Sequence, residues 1–140
     1  MDRKQIQRNL IAEESLELMP YTCTAGKVTI GVGRNLSDRG ISEDTAIQML
    51  DEDIDIVLDE LKVAIKRFDD YPEAIQYSLV DLAFNLGLPK LLTFTQTLKY
   101  LEEGLETGNF TKAAVELMNS AYAKQVPNRA KRNHDRIFNA

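Results

Sequence analysis

Apolar residues recur at helical spacing along most of this chain and alternate at one place only. Ile6, Leu10 and Ile11 fall on one face of a helix predicted over residues 3–13. Pro20 ends any continuation of it. Between Lys27 and Val32 the pattern changes to alternation, rich in β-branched residues with glycine at the edges. That predicts a strand over 27–32, with Ala25-Gly26 as the hairpin turn before it. Gly33 to Gly40 reads as loop and edge strand.

Ser42 is a good N-cap, and Glu43 and Asp44 suit a first helical turn. From there Ala46, Leu50, Ile54, Val57, Leu58, Leu61 and Ile65 form one stripe. The stripe predicts a helix of about six turns, the longest element of the chain and a connector between two lobes. Pro72 sits where the next helix would begin. Ala74, Leu79, Val80, Ala83, Phe84 and Leu86 make that helix apolar nearly all round, so it should be the buried central one. Gly87 and Pro89 stop it, and further helices are expected over 94–104, 110–122 and 127–137. The expected fold class is therefore α+β, mostly helical, with a small N-terminal antiparallel sheet. Residues 14–42 would form a small β-containing lobe and 43–66 a connecting helix. Residues 67–140, with the helix over 3–13, would form a larger helical lobe, leaving a cleft between the two.

Composition narrows the possible functions. A chain of 140 residues that is 44% hydrophobic can bury one real core. It has no apolar run long enough to span a bilayer, so stable membrane insertion is not expected. The charged start, Met1-Asp2-Arg3-Lys4-Gln5-Ile6-Gln7-Arg8, lacks the apolar stretch of a secretory signal. Synthesis in the cytoplasm follows as the expectation. The single cysteine precludes an internal disulfide, and with one histidine no metal site is expected. A net charge of −5 argues against nucleic acid as a partner. Basic residues cluster over 124–136 and acidic ones over 51–60; each run reads as a solvated helix face.

The chemistry concentrates in the first 35 residues. Glu14 precedes the β-like segment, and Cys23 and Thr29 follow, Thr29 within Gly26-Lys27-Val28-Thr29-Ile30-Gly31-Val32-Gly33. One acid and one water-holding pair on opposite sides of a cleft is what general acid cleavage of a glycosidic bond requires. Taken singly, Glu14 is a solvated helix-end carboxylate, Cys23 a core thiol and Thr29 an ordinary strand residue. Gly31 and Gly33 fit close backbone approach to a ligand, or equally a strand ending in a tight turn.

The segment from Glu14 through Tyr21, Cys23, Gly26 and Thr29-Ile30-Gly31-Val32-Gly33 resembles the signature of the T-even phage lysozymes and related endolysins, glycoside hydrolase family 24. Leu79-Val80-Asp81-Leu82-Ala83-Phe84-Asn85-Leu86-Gly87 is similar to that family's central helix, and Phe94-Thr95-Gln96-Thr97 to the segment after it. Ala113-Ala114-Val115-Glu116-Leu117 and Gln125-Val126-Pro127-Asn128-Arg129-Ala130-Lys131-Arg132 resemble its C-terminal helices. The resemblance implies a lysozyme-like fold and hydrolysis of the β-1,4 bond between N-acetylmuramic acid and N-acetylglucosamine in bacterial peptidoglycan. By position it implies Glu14 as general acid, with Cys23 and Thr29 holding or activating water. It implies substrate contacts at Asn35, Phe84, Thr97 and Glu116. Arg129 stands where the family's guanidinium pairs with the catalytic Glu. Arg34 stands where a family His pairs with an acid on the long helix, here in register with Asp53. Tyr122 replaces the usual Trp.

No cofactor is implied. The resemblance implies a monomer that is made in the host cytoplasm and acts on the wall in the periplasm, after a membrane lesion of the kind a phage holin makes. Two rival readings are a lytic transglycosylase, which uses one Glu and leaves a 1,6-anhydro sugar, and a wall-binding module with a dead site. The Cys23/Thr29 pair argues against the first and an intact Glu14 against the second.

Overall fold

Asp2 opens the first helix: its carboxylate accepts the Gln5 N–H at 3.2 Å, and α1 runs over Arg3–Glu14. In the computed structural model, which describes residues Met1–Ala140, α1 belongs to the first of two units, Met1–Met49 and Leu50–Ala140. The first unit also holds a three-stranded antiparallel sheet, β1 (Glu17–Thr22), β2 (Val28–Gly31) and β3 (Arg34–Asn35), in the order β1-β2-β3. The strand at 27–32 is present, one residue shorter at each end. The hairpin turn implies its partner, but the course of β1 through Pro20 was not anticipated, because Pro20 reads as a breaker. A proline without an N–H is tolerated on an edge strand, and the pairing slips between Glu17 and Tyr21, where it lies. A four-residue helix, α2 (Leu36–Arg39), replaces the expected loop. Asn35 caps it, accepting the Asp38 N–H at 3.0 Å. The Ser37 hydroxyl accepts the Val28 N–H at 2.9 Å and ties α2 to the sheet.

The long helix is α3 (Glu43–Ala64), started by Ser42, whose hydroxyl accepts the Thr45 N–H at 3.1 Å. The division between the two units falls within it. The second unit continues with a 3₁₀ turn at Phe68–Asp70, then α4 (Glu73–Leu86), α5 (Leu88–Leu91), α6 (Thr95–Thr107), α7 (Thr111–Met118), α8 (Ala121–Gln125) and α9 (Pro127–Phe138). Gly87 ends α4 at φ +83, and Pro89, read as part of the stop, lies in the first turn of α5. The helix expected over 110–122 is two helices. The Ser120 hydroxyl donates to the Leu117 carbonyl at 2.6 Å and accepts the Ala123 N–H at 3.3 Å, so it closes α7 and caps α8.

The core lies in the second unit. Leu61, Phe68, Ile75, Leu79, Leu82, Leu91, Leu101, Leu117 and Ile137 are its fully buried large apolar side chains. As expected, α4 contributes more buried positions than any other helix, with Ile75, Ser78, Leu79, Leu82 and Ala83. Tyr122 is buried, its ring tilted against Phe94 with centroids 6.4 Å apart. A Cβ at Gly104 on α6 would run into the Phe110 ring, which folds down over that glycine. In the first unit Thr29 alone is fully buried. The chain is 69% helical with one small sheet, the α+β class expected, and its fold is lysozyme-like. No helix is long and apolar enough to cross a membrane.

Candidate active site

In the first unit Glu14 is the last residue of α1. The next residue, Ser15, has φ 68 and ψ 162, a conformation almost confined to glycine. That backbone turns the chain from α1 into β1 immediately after the candidate acid. The Glu14 carboxylate lies against Gly33 in the tight turn between β2 and β3. A Cβ on Gly33 would stand 3.1 Å from Glu14 Oε2 and 3.4 Å from its Cδ. What approaches Gly33 is thus the chain's own carboxylate. A Cβ on Gly31 would meet nothing within 4 Å, and its φ of +69 fits a strand ending in a tight turn. Glu14 has no ion-pair partner within its unit.

Cys23 and Thr29 share one face of the sheet. Tyr21 is paired with Thr29 and Thr22 with Val28, and the Cys23 N–H donates to Lys27 O at 2.9 Å as the hairpin closes. Directly opposed residues point the same way, and side chains alternate along each strand. Tyr21, Cys23, Lys27 and Thr29 therefore lie on one face, joined by Asn35, which is opposite Thr29 on β3. The Thr29 hydroxyl donates to the Lys27 carbonyl at 3.0 Å. Cys23 is half-buried, and its thiol is held below its ordinary pKa. The Lys27 backbone N–H is the largest cause, then that of Ala25, with a smaller part from Thr29; burial works against them. Asn35 spends both ends of its amide on Asp38: Oδ1 accepts its N–H and Nδ2 donates to its carboxylate, each at 3.0 Å. Arg34 pairs with Ile30 across the β2–β3 ladder.

In the second unit Phe84 on α4 is 46% exposed and is no part of the core. With Tyr77, Val80, Asp81, Arg129, Leu50 and Ile54 it lines a hollow of about 220 Å³. Arg129 on α9 is gripped by Asp81 on α4: Nη2 donates to Oδ1 at 2.8 Å and Nε to Oδ2 at 3.0 Å. Thr97, 5% exposed, and Glu116 come together in a second hollow of about 330 Å³ with Phe94, Gln96 and Ser120. Asp53 lies exposed on α3 without an ion-pair partner in its own unit. Arg34 and Glu14 belong to the first unit, Asp53 and Arg129 to the second.

Sequence reasoning missed Asp81. The signal was present: a lone acid within Leu79-Val80-Asp81-Leu82-Ala83 needs a cationic partner if its helix is buried. Ser15 was also missed, since nothing in its identity announces a positive φ.

A family model described as phage lysozyme matches residues 12–134 of this chain. Among curated proteins, Probable T4-type lysozyme 1 of Dictyostelium discoideum is 27% identical over 150 aligned positions, covering 86% of this chain and 85% of that protein.

Proposed function

Since the chain belongs to the phage lysozyme family and so carries lysozyme-type glycosidase activity on peptidoglycan, we propose that it is a muramidase with Glu14 as its acid. It hydrolyses the β-1,4 bond between N-acetylmuramic acid and N-acetylglucosamine. Glu14 donates a proton to the glycosidic oxygen, and Cys23 with Thr29 holds or activates the water that attacks the anomeric carbon. Asn35, Phe84, Thr97 and Glu116 contact the saccharide. Arg129, pairing with Glu14, and Arg34, pairing with Asp53, support the site.

The observation that carries this reading is the packing of the Glu14 carboxylate against Gly33. The acid, itself exposed, lies against the β2–β3 turn of the sheet that bears Cys23 and Thr29. A depressed thiol pKa is the direction a basic role for Cys23 needs. In the organism the enzyme is made in the host cytoplasm and reaches the wall after membrane permeabilisation. It works as a monomer of one lysozyme-like domain, with residues 14–42 as the β-containing lobe, 43–66 as the connecting helix and the remainder helical.

The test is lysis of permeabilised Gram-negative cells by two isosteric variants. General acid catalysis contributes about 10²–10⁴-fold. Glu14→Gln should fold normally and lose nearly all activity, and Glu13→Gln should lose little. Equal losses, or an active Glu14→Gln, would remove the assignment.

A further inference from the structure

Asp81 is an acid placed in the most buried helix, and its environment is built around it. Its carboxylate accepts both the Nε and Nη2 donors of Arg129 and, at 2.8 Å, the Nδ2 of Asn133. Asn133 is wholly buried and fully used. The same Nδ2 reaches the Tyr122 hydroxyl at 3.2 Å, and its Oδ1 accepts Arg136 Nη1 at 2.8 Å. Arg136 in turn lies over the Tyr77 ring, 4.2 Å from its centroid. Burial pushes the Asp81 carboxyl up, but hydrogen bonds from Arg129 and Asn133 and the charges of Arg129 and Arg136 outweigh it and hold the group below the usual carboxylate range. It is ionised at neutral pH.

The consequence is for Arg129. One edge of its guanidinium, Nε and one Nη2 hydrogen, is spent on Asp81. Both Nη1 hydrogens and the second Nη2 hydrogen have no acceptor within the second unit, and the side chain is a third exposed beside Phe84 and Tyr77 in the same hollow. A free arginine would sample many rotamers, whereas a bidentate fork fixes the plane of the group as well as its place. A partly buried ion pair is a weak source of stability, and its gain here is orientation.

We propose that Asp81 is a positioning residue for the lysozyme reaction, holding one edge of the Arg129 guanidinium so that its other edge is fixed for the pairing with Glu14 proposed above. This rests on the supporting role given to Arg129 above and deepens it.

The experiment uses the full chain and a soluble peptidoglycan oligosaccharide. Asp81→Asn keeps the volume and removes the charge. It should lower kcat by about 10–100-fold, since small misplacements of a positioned group are that costly. KM should stay within about threefold, as expected when the chemical step is slowed and substrate binding is untouched. The Arg129 Nε–H resonance, sharp and slowly exchanging in the parent, should be lost to exchange. Arg129→Lys, which keeps the charge and loses the fork, should show the same kcat loss at temperatures below its melting point. Combining Asp81→Asn with Arg129→Ala should be no worse than Arg129→Ala alone. An impaired Arg129→Ala beside a fully active Asp81→Asn overturns the proposal, as does a double variant whose losses multiply. A fully active Arg129→Ala removes the role of Arg129 itself, and the proposal with it.

Discussion

Gly31 and Gly33 offer a matched pair of perturbations that separates backbone strain from displacement of the candidate acid. Both have left-handed φ, +69 and +67, so alanine at either costs about 1–2 kcal/mol from the Cβ–carbonyl clash. For a chain of this length that lowers Tm by roughly 3–7 °C in both variants. Their surroundings differ. A Cβ at Gly31 meets nothing within 4 Å, and one at Gly33 stands 3.1 Å from Glu14 Oε2. The Glu14 side chain is exposed and free to retreat by a few tenths of an ångström, so the contact adds little to the stability loss. Its effect on catalysis is larger. A 1 Å error in placing a reacting group costs about 10²-fold, so a few tenths should cost roughly 3–10-fold. Lysis rates and kcat/KM would be measured well below both melting points. The expected result is equal Tm losses, near-normal activity in Gly31→Ala and a several-fold loss in Gly33→Ala. Equal activities in the two variants would refute the reasoning, because the Glu14 contact would then have no bearing on the chemistry.

Ser15→Gly should relieve a non-glycine residue at φ 68 and ψ 162 and raise stability by about 1–3 kcal/mol in urea denaturation; an unchanged midpoint would show the strain to be absent. Tyr71 is buried, and its hydroxyl pKa is pushed up to about 12, by burial first and then by Glu102. Its contribution to stability is complete below the unfolded value of about 10 and is lost as pH rises through about 12, worth roughly 2–3 kcal/mol. Tyr71→Phe should flatten that alkaline loss in a pH series of melting curves. Alkylation of the only cysteine, Cys23, should block lysis, and NMR of the first-formed product should show inversion at the anomeric carbon. Full activity after complete alkylation would take Cys23 out of the site, and retention would point to direct attack by the thiol.

The helical part of the fold was legible because its signals are local. Ser42, Pro72 and Gly87 each mark a boundary through their own backbone chemistry, and each boundary falls where they put it. What was not legible depends on partners distant in sequence. The strand containing Pro20 exists because β2 pairs with it, and the break at Ser120 because its hydroxyl outcompetes helix continuation. The same holds for the site. Glu14, Cys23 and Thr29 stand out as candidates from spacing and residue type within one short stretch. The grip of Asp81 on Arg129 spans 48 residues of sequence and belongs to the packing of α4 against α9. In sequence Phe84 is one more apolar position of α4, and only its exposure sets it apart from the core.

Phe110 folds over Gly104, leaving no room for a methyl group there. In evolutionary terms the two positions form one locus. Neither can drift alone, since any side chain at 104 must be preceded by a smaller one at 110, and a smaller one at 110 opens a void until 104 fills it. Related chains should therefore change at these sites in pairs or keep both.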